Sequence, residues 1–170
     1  TKSITGSGVE PVLQWARLTM QASQDSEFKR QADQAPGIDC ARHSMQRPWT
    51  KHHRIIYLLA GCARVDGEPS DDVLTVMFNC IGEFIDDGIL PMDDEVFQPI
   101  WNDVSLRQRD DRAKGASAMA KEAVLHASQL RREVDVSTAR FVVVLGLVRI
   151  AKAEGQPSAT QMVYVAACGQ

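Results

Sequence analysis

An eight-residue phrase occurs twice in this chain. "ARVDGEPS" at 63–70 returns 88 residues later as "AKAEGQPS" at 151–158. Each copy follows a long apolar stretch and precedes another. Each carries Gly, then Pro-Ser, the residue types that stop one helix and start the next. Ser70 is an N-cap candidate, with Asp71 and Asp72 in the following first turn, where carboxylates face unpaired N–H groups and the positive end of the helix dipole. Ser158 makes the same corner with no acid after it. A calcium loop is the competing reading of "DGEPSDD", but an EF-hand closes on a Glu at its twelfth position. With Asp66 as the first position, the twelfth is Met77. The phrase is therefore read as a corner between helices, used twice.

The remaining pattern is helical throughout. "TKHHRIIYLLAGCARV" starts at Thr50 as N-cap and runs to about Val65. "SDDVLTVMFNCIGEFID" places Leu74, Met77, Phe78, Ile81 and Ile85 at helical spacing. "DGILPM" is a loop. "DDEVFQPIW" is a short helix capped by Asp93, its end disturbed by Pro99. The Ala-rich segment 110–132 is a helix, and 135–153, despite a strand-like valine run, is long enough to be a buried helix. "SATQMVYVAACGQ" is the last. Upstream, "EPVLQWARLTMQ" and "DSEFKRQADQ" add two more before the break at "APGID". The expectation is an all-α protein of eight or nine helices, a single domain over 1–170 made of two packed helical subdomains that meet near 88–92.

Composition limits the function. Hydrophobic residues make up 44% and charged residues 24% of the 170, as in ordinary globular proteins. No apolar run reaches membrane-spanning length, and the first residues lack a signal-peptide core. Cys40, Cys62, Cys80 and Cys168 are scattered without zinc spacing; Cys62 and Cys80 lie on apolar helix faces and read as core thiols. No nucleophile motif, P-loop or dinucleotide fingerprint is present. The paired carboxylates at 71/72, 86/87, 93/94 and 110/111 stand at helix starts or in loops, where capping explains them. His126, on the Ala-rich helix, reads as structural. No enzyme, small-molecule substrate, cofactor or metal is expected.

Charge is segregated. The segment 66–95 holds ten acids and no Lys or Arg; it carries −10, and the rest of the chain +7. Asp66, Glu68, Asp71, Asp72, Asp86, Asp87, Asp93 and Asp94 form an expected acidic assembly face. The piece 42–54 holds Arg42, Arg47, Lys51 and Arg54 with no acid, an expected basic patch for a membrane or partner. His43, His52 and His53 lie among those cations, which should hold their pKa values below 6.5 and make them candidate pH sensors.

The carboxy-terminal third resembles the amino-terminal half of an orthomyxovirus matrix protein. Leu125-His126 precedes Ala139 by the family's spacing; "FVVVLGLV", a short loop, and "VYVAACGQ" with Ala166, Cys168 and Gln170 follow. "PWTK" at 48–51 resembles the family's Pro-Leu-Thr-Lys. The family's basic cluster falls instead on Ser117, Ala118, Met119, Ala120 and Lys121, and the first cysteine of its Cys/His motif on Val165, so the likeness is to a distant member, with a thogotovirus-like protein as one candidate. The resemblance implies a structural protein lining the inner face of a viral envelope in the virion, with host cytoplasm and nucleus as candidate earlier locations. It implies self-association into a layer, contact with anionic lipid and contact with the viral ribonucleoprotein. The doubled corner also resembles the tellurite-resistance TerB family, whose two helix–corner–helix units carry Ala-x-x-Asp-Gly-x-x-Ser-x-x-Glu-like corners. That likeness implies an acidic, metal-associated stress-resistance protein. The matrix reading ranks first, because the chain stops at a helix end and two hairpins leave 1–49 unexplained.

Overall fold

The computed structural model describes residues 48–91, 93–134 and 137–169, the side chains of 137–139 excepted. All regular structure in these residues is helical: α1 (Lys51–Arg64), α2 (Asp71–Asp86), α3 (Asp94–Ala113), α4 (Ala116–Glu133), α5 (Ser137–Ala151) and α6 (Ala159–Gly169). The helices expected before residue 48 lie outside the described residues, as do Cys40, Arg42, His43 and Arg47.

Helix α1 is the axis of the fold. Every residue from His53 to Ala63 is buried, as a helix must be when it is covered on all sides. It packs against α2, α3, α4, α5 and α6. Its start is held reciprocally with Thr50, whose backbone N–H donates to His53 Nδ1 at 3.2 Å. Buried side chains on both sides of 88–92, from Ile55, Met77 and Phe84 to Trp101, Leu147 and Tyr164, belong to one apolar cluster.

Both copies of the repeated phrase fold alike. The N–H of Gly67 donates to the Arg64 carbonyl at 3.1 Å, and that of Gly155 to Lys152 at 3.0 Å. The two glycines have φ of +133° and +103°, a region costly for any residue with a Cβ. Ser70 Oγ accepts from the Val73 N–H at 3.4 Å. Ser158 Oγ accepts from the Gln161 N–H at 3.0 Å, and Gln161 Oε1 accepts from the Ser158 N–H at 3.0 Å. The corners also touch: the Ser158 hydroxyl donates to Asp66 Oδ2 at 2.5 Å.

Three expectations change. The short helix at 93–101 is the beginning of a helix of 20 residues. Pro99 does not end it, because Pro99 is exposed and water can satisfy the Glu95 carbonyl that the ring leaves without its donor. The Ala-rich helix begins at 116 rather than 110, because Gly115, at φ +98°, turns the chain there. Helix α5 is buried on one face only: Val143, Leu147 and Ile150 face the core, while Phe141 is 66% and Leu145 46% exposed.

Candidate polar cleft between three helices

Three helices each turn a row of polar or aromatic side chains, spaced by one turn, toward a common cleft. From α1 and the residue before its cap come Trp49, His53 and Tyr57. From α3 come Asp103, Arg107 and Asp111. From α4 come Glu122, His126 and Gln129. The open part is a cavity of about 360 Å³, lined by Trp49, Asp103, Arg107, Glu122, His126 and Gln129 among others.

The floor is a satisfied network. Asp111, wholly buried, accepts from the Tyr57 hydroxyl at 3.0 Å and from Arg107 Nε at 3.0 Å on Oδ2, and from Lys114 Nζ at 3.1 Å on Oδ1. Burial, with Asp111 second, raises the Tyr57 pKa far above its usual value, so the hydroxyl remains a donor. Gln108, also wholly buried, donates to the Tyr57 carbonyl at 2.8 Å. Arg107 reaches across to Glu122 at 3.0 Å. A buried charge is tolerated when its hydrogen bonds are complete, and Asp111 meets that condition.

The wall is aromatic. The Trp49 indole lies between two imidazoles, with its centroid 5.6 Å from His53 at 24° and 4.6 Å from His126 at 16°. Tyr57 tilts against His126 at 4.7 Å. The polar neighbours of the His126 ring are Gln129 and Glu122, whose Oε2 stands 3.8 Å from Nε2. Burial, then the Arg54 and Arg107 charges, pulls the His126 pKa down to about 4. The ring is neutral at pH 7, and both of its nitrogens are buried. Among the described lining residues the polar groups include carboxylates, guanidinia, an imidazole and an amide.

The residues expected to act are placed as follows. Lys51 is exposed and His52 half-buried. Arg54 turns inward: only 8% exposed, it donates to Gln129 at 2.9 Å, to Glu133 at 3.0 Å and to the Trp49 carbonyl at 2.5 Å. It ties α1 to α4 and is not part of an open cationic surface. His53 is buried beside Asp103, Nε2 to Oδ2 3.6 Å. Its pKa is lowered chiefly by burial, with Asp103 opposing; that of His52 is lowered by burial first and by Lys51 second. Like charge, the expected cause, is secondary in both.

The acids are exposed but not gathered on one face. Asp66, Glu68, Asp71 and Asp72 sit at the first corner; Asp86, Asp87, Asp93 and Asp94 sit around the loop at the other end of α2, a helix of 16 residues and so about 24 Å long. Glu68 pairs with Arg112 at 2.8 Å. Ser70 caps α2, with Asp71 and Asp72 in its first turn, as the corner reading required. Among the described residues no three His, Cys, Asp or Glu side chains are grouped to hold a metal ion, and no helix is long and apolar enough to cross a membrane. Cys62, Cys80 and Cys168 are buried free thiols; burial pushes Cys62 and Cys168 up to about 12, which leaves them unreactive.

Sequence reasoning placed His126 in the core without seeing the cleft. The available signal was polar: Asp103, Arg107 and Asp111 recur every fourth residue on α3, the spacing of one helix face. The expected helices leave "NDVSLRQR" (102–109) unassigned and put Asp111 on the helix after it, which hides that stripe. No known protein family, curated protein or solved structure matches this chain.

Proposed function

We propose that this chain is a TerB-like helical module: a non-catalytic, acidic domain that serves metal-associated stress resistance by attracting cations. The observation that supports it is the folded equivalence of the two corners, with the same glycine turn, the same serine cap, and Asp66 bonded to Ser158 where they meet. The resemblance rested on that repeat. Asp71 and Asp72 face solvent at the first corner. With no closed ligand shell, the acids act as a field that concentrates cations rather than as a chelate. Calorimetric titration of the full chain with calcium and with manganese should give weak heats that fade with added salt. Asp71→Asn with Asp72→Asn should reduce them. Heats equal to those of buffer alone at low salt would sink the reading.

A second reading has its own observation. Phe141 and Leu145 on α5, and Met162 and Val163 on the neighbouring α6, are 46–66% exposed. Exposed apolar surface of this kind supports self-association. That is what a matrix-like protein needs to form a layer beneath an envelope, between anionic lipid and a ribonucleoprotein. Light scattering at rising protein concentration tests it. Phe141→Asp should hold the chain monomeric, and an unchanged monomer in both proteins would leave this reading without support.

A further inference from the structure

A second pair of cavities lies away from the polar cleft. One, of about 300 Å³, is bounded by Leu58, Leu130, Leu147 and Cys168; the other, of about 200 Å³, by Ile55, Ile89 and Val134. Leu130, Val143 and Arg140 line both. They adjoin in a trough floored by α1 and walled by α4 and α5, with those three residues as their shared border. Lys51, Ile55 and Leu58 recur along α1 at one-turn spacing, so the trough follows about 10 Å of that helix.

The lining has a simple charge pattern. Its floor and walls are aliphatic. Its charged residues are Lys51, Arg131 and Arg140, and among the described residues no carboxylate lines either cavity. In a chain of net charge −3, that is a local reversal. Arg140 is anchored at the junction: Nε donates to the Val134 carbonyl at 2.9 Å and Nη2 to the Arg131 carbonyl at 2.6 Å. Its charge is held by backbone oxygens at the end of α4, and no carboxylate among the described residues forms an ion pair with it. Arg131 and Arg140 line the larger cavity and Lys51 the smaller, so a guest of the larger cavity must be apolar along its length and negative where it meets the two arginines.

We propose that the larger cavity of this trough binds a single-chain aliphatic carboxylate, with the chain between α4 and α5 and the carboxylate at Arg131 and Arg140. Its volume, about 300 Å³, stands at the lower end of small-ligand sites. The site owes nothing to the corner repeat, so it stands or falls independently of the proposed function.

The test is a two-dimensional amide NMR titration of the full chain with hexanoate, octanoate and decanoate, each kept below its micelle concentration. Saturable shifts should centre on Leu130, Val143 and Leu147 and spare Trp49 and His126. Affinity should rise about tenfold for each added pair of methylenes, from the transfer free energy of two CH₂ groups. Decanol should bind at least tenfold more weakly than decanoate. Arg131→Gln, at an exposed position, should weaken decanoate about tenfold and leave decanol unchanged, while Lys51→Gln, beside the smaller cavity, should leave both unchanged. Absence of saturable shifts, shifts centred on the polar cleft, equal binding of decanol and decanoate, or binding seen only with phosphatidylglycerol vesicles would each overturn the proposal.

Discussion

Helices α1 and α5 stand 88 residues apart in register, and they treat the same face in opposite ways. On α1 that face carries His53 and Tyr57, two residues with polar atoms, and both are buried. At the equivalent positions α5 carries Phe141 and Leu145, and both are exposed. The opposite faces agree: Leu59 and Leu147, and Cys62 and Ile150, are each 0% exposed. The difference lies in the neighbours. Helices α3 and α4 cover the first face and bring Asp111, Arg107 and Glu122 to meet its polar atoms. Nothing among the described residues plays that part for α5. Burial here follows position in the assembly and not the hydrophobicity of the side chain.

The largest test of that contrast is truncation on both sides. Tyr57→Ala removes a buried ring and one donor to Asp111, and should cost about 4 kcal/mol. Leu145→Ala at the matching place should stay within about 0.5 kcal/mol. Urea unfolding of both variants measures the gap. A Leu145→Ala loss above 1 kcal/mol that grows with protein concentration would show that a second copy covers α5, which would end the contrast and favour the self-assembling reading.

Gly61 and Arg149 are the next matched pair. A Cβ on Gly61 would overlap the Tyr164 hydroxyl, so Gly61→Ala should cost about 3 kcal/mol by overpacking. Tyr164→Phe, which removes that hydroxyl, should recover part of the loss. Arg149 is exposed and pairs with Glu83, Nη2 to Oε1 2.9 Å; Arg149→Ala should cost no more than about 0.5 kcal/mol. Thermal melts of the three single variants and the Gly61→Ala, Tyr164→Phe double variant decide this. Absence of rescue would place the clash elsewhere.

The covered face should also make the fold acid-sensitive. His126 has a pKa of about 4 in the folded protein against about 6.5 unfolded. The folded state therefore disfavours the proton. Above 6.5 both states are neutral at this ring and nothing is lost; as pH falls from 6.5 to 4 the unfolded chain gains a proton that the folded chain refuses. Stability should drop by roughly 2–3 kcal/mol across that window. His53, also lowered by burial, acts in the same direction. His126→Phe should flatten the profile measured by denaturant unfolding from pH 7.5 to 4. An unaltered slope would mean that His126 is not the group responsible.

The smallest effects distinguish the corners. Ser158 accepts from Gln161 at 3.0 Å and the Gln161 side chain answers it; Ser70 accepts at 3.4 Å without such a return bond. Ser158→Ala should therefore cost about 1 kcal/mol and Ser70→Ala about 0.5 kcal/mol. Equal losses would show that the reciprocal bond adds nothing.

Local chemistry made much of this structure legible in the sequence. Thr50, Ser70 and Asp93 were readable as helix starts because a cap is a contact between a side chain and a backbone N–H two or three residues away. The corner at 66–70 was readable as a corner, and the buried Cys62 and Cys80 as core, for the same short-range reasons. The long α3 was not readable, since the cost of Pro99 depends on whether its face meets solvent. Nor was the stop at Gly115, which an Ala-rich sequence on both sides concealed.

What the sequence determined by itself is the helical character of 48–169, most of the helix starts and the doubled corner, because these arise from interactions within a few residues. Only the tertiary structure decided that Arg54 and His53 turn inward, that Trp49 lies between two imidazoles, that Asp66 meets Ser158, and that the acids divide between two ends of α2. Each of these joins segments distant along the chain or depends on which helices cover α1. Packing chooses those partners by geometry, and a side chain's own polarity carries no record of its neighbour.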